Sequence, residues 1–134
     1  MKYFLQILLI CIFPLYCNGQ VNIVKNGVSR SRIIVDKQDS TDLKAAFLLQ
    51  DFAKRISGAK IEVLGKESRF RPGDILIGSF QLPVSGLDLN EIAEDGFYLS
   101  TNDSYLRIIS NRGKGSIYGV VSLLEDYLGV HYYA

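Results

Sequence analysis

The chain has 134 residues, 48% of them hydrophobic and 22% charged, with a formal net charge of +1. That is the size and composition of one ordinary globular domain, not of a disordered tail. The near-neutral balance excludes a strong basic field for nucleic acid or an anionic membrane surface.

The first nineteen residues read as a secretory signal peptide. Lys2 gives a short positive start, 4–13 is apolar apart from Gln6, and Pro14 ends the run. Cys17 and Gly19 place small residues at −3 and −1 of a cut before Gln20. The run is too short for a stable membrane span. The expected localisation is therefore export, periplasmic or secreted. Lipid anchoring at Cys17 is the competing reading, and bulky Tyr16 in the preceding position argues against it. Without the signal, 115 of the 134 residues remain, fourteen of them basic and fourteen acidic. A chain of that length buries about 65% of its unfolded surface in one core. Both cysteines, Cys11 and Cys17, leave with the signal, so packing rather than disulfides has to hold the mature domain.

Residues 21–24 read as a first strand and Asn26-Gly27 as a turn. Ile33, Ile34 and Val35 stand in a row within 32–36, the mark of a strand buried on both faces. Asp39, Ser40, Thr41 and Asp42 suit a helix start, by capping and by charge. The spacing predicts a helix over 41–57. Ala45, Leu48, Leu49, Phe52 and Ile56 form its apolar face, and Gly58 is its stop. Residues 60–64 alternate as a half-buried strand. A polar loop with Pro72 follows, then the apolar strand DILIG at 74–78. Pro83 and Gly86 mark a second loop, with a helical turn near 89–93. After the Asp95-Gly96 turn, 97–101 and 105–110 form a hairpin around Asn102, Asp103 and Ser104. Phe47, Phe52, Phe97 and Tyr118 fall within predicted elements, in the core or on its flank.

The stretch 110–134, SNRGKGSIYGVVSLLEDYLGVHYYA, is a glycine turn, an amphipathic helix, a glycine stop and a short aromatic strand. Arg112 and Gly113 belong to the structural turn, and Ser116 can cap the helix. Ile117, Val120, Val121, Leu124 and Leu128 recur at helical spacing, while Glu125 and Asp126 fall towards water. Gly129 sits at the C′ position. The fold class expected from this order is α+β, a two-layer α/β sandwich: a mixed sheet with two main helices packed on one face. The later strands follow each other too closely for a helix between each pair, which excludes a doubly wound sheet.

Arg112-Gly113, Ile117-Tyr118-Gly119-Val120, Leu123-Leu124-Glu125 and Tyr127-Leu128-Gly129-Val130 carry a resemblance. Together they resemble the end of the non-catalytic N-terminal domain of α-glucuronidases and β-N-acetylhexosaminidase-like glycoside hydrolases. The resemblance implies an accessory domain over 20–134 of an exported enzyme of polysaccharide or glycan breakdown. It also implies that the catalytic carboxylates lie in a following (β/α)₈ barrel. Such a barrel takes roughly 250 residues, so this chain is expected to be a fragment without it. The implied partners are that barrel and a glycan substrate. Val130, His131, Tyr132 and Tyr133 are then the expected interdomain interface.

The residues offer no chemistry of their own. Gly113-Lys114-Gly115-Ser116 lacks the glycine that a phosphate loop needs five residues before its Gly-Lys pair, since Ile108 stands there. His131 is the only histidine and has no cysteine to join in a metal site. Glycosidic hydrolysis uses two facing carboxyl groups, whereas Glu94-Asp95 and Glu125-Asp126 are adjacent pairs whose side chains diverge. No catalytic, cofactor-binding or metal residue is assigned. A stand-alone exported module that binds carbohydrate or protein through surface aromatics is the alternative reading.

Overall fold

The structure, a computed structural model, describes residues 21–101 and 104–130. Among these residues the strands are β1 (Val24–Lys25), β2 (Val28–Ser29), β3 (Arg32–Val35), β4 (Glu62–Gly65), β5 (Ile75–Ile77), β6 (Phe97–Ser100) and β7 (Leu106–Ser110). The helices are α1 (Ser40–Ser57) and α2 (Gly115–Ser122), the latter continued by a wider π turn, Leu123–Tyr127. β1 and β2 form a small ribbon. The other five strands form one sheet in the order β4-β3-β5-β7-β6.

β3, β4, β5 and β7 run parallel to their neighbours, and β6 returns antiparallel to β7 as the predicted hairpin. α1 supplies the crossover that the parallel pair β3 and β4 requires. Ile33 lies opposite Val63 and Ile75, and Ile77 lies opposite Ile108. These residues share one face and pack with Ala45, Leu49, Val120 and Leu124 of the helices. Ile34, Leu76 and Ile109 alternate to the other face and are also fully buried. The run of β-branched residues in β3 is thus buried on both sides, as expected. The result is a two-layer α+β sandwich with the helices on one face. Glu62–Gly65 is displaced towards the C-terminus of the predicted 60–64.

α1 starts one residue before the prediction. Asp39 caps it, its carboxylate accepting from the N–H groups of Thr41 and Asp42, each at 3.0 Å. Gly58 ends it at φ 76, with its N–H on the Lys54 carbonyl. The buried face, however, is Asp42, Ala45, Ala46, Leu49 and Ala53. Leu48 and Phe52 are only half-buried and Ile56 is 55% exposed. The expected stripe is therefore turned towards the alanines. Small side chains let the helix axis lie close to the sheet, and the larger residues flank the contact. Phe47, Phe97 and Tyr118 likewise sit beside the core, each more than a third exposed.

The start of the chain also departs from expectation. Only Val24 of 21–24 is in a strand, and it pairs within the ribbon rather than the sheet. Asn26 and Gly27, at φ 53 and 73, make the doubly left-handed turn that two-residue hairpins favour. Val21 and Ile23 instead pack against the core. A bidentate ion pair fastens the starts of β3 and β5: Arg32 donates to both Asp74 carboxylate oxygens, at 2.9 and 2.6 Å.

Candidate interdomain face

The turn before α2 is knitted to the turn before β6. Asp95 accepts the Lys114 N–H at 2.5 Å and donates its own N–H to the Arg112 carbonyl at 3.3 Å. Gly113 has φ 70, and a Cβ there would run into the Asp95 carboxylate. Arg112 and Gly113 lie in this turn. Two further glycines act through close approach. A Cβ on Gly115 would strike the Gly96 carbonyl oxygen, and one on Gly119 would strike Ile108 and crowd Phe97. Gly119 is thus explained by helix-to-strand contact, whereas Tyr118 beside it is exposed.

Ser116 does not cap α2. Lys114 occupies the N-cap position and makes no side-chain cap bond. Ser116 lies inside the first turn, fully buried, and its hydroxyl donates to the Asp42 carboxylate of α1. The Ser110 hydroxyl at the end of β7 is 2.7 Å from Ser116 Oγ. Burial pushes the Asp42 carboxyl up to about 6, against the Ser116 hydrogen bond, which lowers it, and with Asp39 and Asp36 adding to the rise. This cluster escapes sequence reading because its two helical members are 74 residues apart.

The far end of α2 is open. The α-helix stops at Ser122 and the π turn then widens the spiral. Leu124 stays fully buried, but Leu128, expected on the buried stripe, is 38% exposed, because the wider turn shifts its phase. Gly129 follows the element at φ 71, and Val130 N–H reaches the Leu124 carbonyl at 2.9 Å. Val130 is half-buried against the core and lies outside any strand. Glu125 and Asp126 face water. His131, Tyr132 and Tyr133 lie outside the described residues.

Two apolar grooves meet at Leu128. One, of ≈ 440 Å³, runs between Val21, Ile23, Leu99 and Tyr127. The other, of ≈ 340 Å³, runs between Val21, Ala53 and Ile56. Tyr127 is 70% exposed at their edge. Tyr127, Leu128 and Ile56 thus form an exposed apolar surface where the chain leaves α2. The sequence reading named Val130, His131, Tyr132 and Tyr133 for the expected interface and did not single out Tyr127. The available signal was Tyr127 itself, an aromatic residue off the helical stripe.

Among the described residues no carboxylate lines either groove. Asp95 is engaged in the turn, and Asp126 accepts a hydrogen bond from Ser122 on the open surface. Among the described residues no group of three or more His, Cys, Asp or Glu could hold a metal ion, and no helix is long and apolar enough to cross a membrane. No curated protein matches the chain. A family model described as the glycosyl hydrolase family 67 N-terminus matches residues 18–123.

Proposed function

The chain belongs to the glycosyl hydrolase family 67 N-terminus family, and from that premise we propose that it serves as the accessory domain of an exported α-glucuronidase-type enzyme. Its work is scaffolding. The domain packs against the catalytic domain of the parent protein, which supplies the carboxylates and binds the glycan. The family match over residues 18–123 carries this reading. The apolar surface at Tyr127, Leu128 and Ile56 supports it, because exposed apolar patches mark contact sites. Val130, His131, Tyr132 and Tyr133 follow in the sequence and are the proposed boundary residues, since tyrosine can bury area and keep one polar tip.

Mixing the purified 20–134 domain with the separately produced catalytic domain of its parent tests the reading. The expected result is a one-to-one complex by sedimentation, weakened by Tyr127→Ser with Leu128→Ser. The domain alone is expected to turn over neither aryl glucuronides nor aryl N-acetylhexosaminides. Turnover by the domain alone, lost on changing one of its carboxylates, overturns the proposal. With the catalytic domain present, the same two substrates separate a glucuronidase parent from a hexosaminidase-like one. Export rests on the Lys2 to Gly19 signal pattern. Mass spectrometry of the exported protein should find Gln20 at its N-terminus. A lipidated Cys17 would instead place the protein on a membrane.

A further inference from the structure

Asp42 is an acid where the charged form is poorly accommodated. It is 4% exposed, in the first turn of α1. From its own helix start it meets Asp39, and from the preceding connection Asp36, both of like charge. Asp36 is itself held by Lys66 at 2.7 Å. α2 faces Asp42 with the hydroxyl of Ser116, and the Ser110 hydroxyl of β7 stands 2.7 Å from Ser116 Oγ. The end of β5 faces it with Gly78, whose missing side chain makes the room: a Cβ there would overlap the carboxylate. A buried carboxylate without a cation is unstable relative to its neutral form.

The hydrogen bonds accommodate both forms. When Asp42 is ionised it can only accept, so the protons run from Ser110 to Ser116 to Asp42. When it is neutral it can donate, and the chain reverses. The link persists in either case, but only the neutral form escapes the desolvation penalty. The ionised form regains its hydration only if the packing around it loosens.

We propose that Asp42 is a proton-operated latch between the two helices, closed when its carboxyl is neutral and loosened when it is ionised. The consequence reaches the exposed end of α2, because the latch holds the first turn of the helix that carries Tyr127 and Leu128. The sign follows from linkage. The folded-state value lies above the ordinary 3.8, at about 6, so protonation favours the folded form. The contribution is complete below about 3.8 and is lost as pH rises through about 6.

Urea unfolding of the 20–134 chain and of Asp42→Asn across pH tests this. Between about pH 7.5 and 5.0, the wild-type unfolding constant should fall about tenfold relative to that of the variant, the change a two-unit displacement gives over that window. Equal slopes for the two proteins overturn the latch, as does a wild type that weakens relative to the variant on acidification. If Asp42→Asn fails to fold, a carbon-13 titration of the Asp42 carboxyl in the wild-type chain decides. A midpoint near 6 supports the proposal and one near 4 overturns it. Hydrogen exchange of the 117–121 amides, corrected for intrinsic rates, should slow at the lower pH. Unchanged or faster exchange counts against the latch.

Discussion

The two ends of α2 follow opposite rules. Its first turn is fixed from every side: Gly115 meets the Gly96 carbonyl, Ser116 is bonded to Asp42, and Gly119 lies on Ile108 and Phe97. Its last residues leave the α-helix for a π turn and turn Tyr127 and Leu128 outward beside two grooves. The glycines at the first end remove side chains so that backbones can touch. The aromatic residue at the second end adds surface that nothing among the described residues covers. One end sets the position of the helix and the other is left available for contact. The same stretch of chain therefore carries both a fixed end and an exposed apolar one.

The comparison can be broken first at Leu124, which sits between the two ends and is fully buried. Leu124→Ala should destabilise the domain by about 2–5 kcal/mol in urea unfolding, a large part of the roughly 5–15 kcal/mol typical of a small domain. A loss comparable to that of Glu125→Ala, expected within about 0.5 kcal/mol, would mean that the π turn does not keep Leu124 in the core. At the fixed end, Gly119→Val should cost about 1–3 kcal/mol through overpacking against Ile108 and Phe97. Trimming the neighbour, in Gly119→Val with Ile108→Val, should recover part of that loss. A single variant as stable as wild type would show that the close approach is not needed.

Much of this frame was legible locally. Ile33, Ile34 and Val35 announce a doubly buried strand, and Gly58 and Gly129 announce helix stops, because each signal resides in a few neighbouring residues. The tilt of α1 was not legible in the same way. Hydrophobicity favours Ile56 over Ala53, yet a helix pressed close to a sheet buries the smaller residue. Ser116 shows a different gap. A serine after a glycine turn has the chemistry of a cap, and only the approach of Asp42 from the other helix turns it into a buried donor. The π turn has no local signature either. It exposes Leu128, which the helical period alone would bury, and so it conceals half of the candidate surface. The family resemblance named Val130, His131, Tyr132 and Tyr133 for the interface, and of these only Val130 is among the described residues, half-buried against the core.

The smallest expected effect on stability lies at the open end, and it is the sharpest test of the contrast. Tyr127 is 70% exposed, so Tyr127→Ser removes little buried area and should shift stability by only about 0.5 kcal/mol or less. Leu128→Ser, at 38% exposure, should cost somewhat more but far less than Leu124→Ala. The same pair should matter for association. Apolar surface is favoured out of water by roughly 25 cal/mol per Å², and an isolated domain can satisfy that preference with another copy of itself. Sedimentation over a range of concentrations should then show self-association in the wild type and a more monomeric double variant, Tyr127→Ser with Leu128→Ser. Tyr132→Ser with Tyr133→Ser should act in the same direction if the interface continues past Val130. A large loss of stability without any change in association would place Tyr127 and Leu128 with the scaffold, and the two ends of α2 would then be alike.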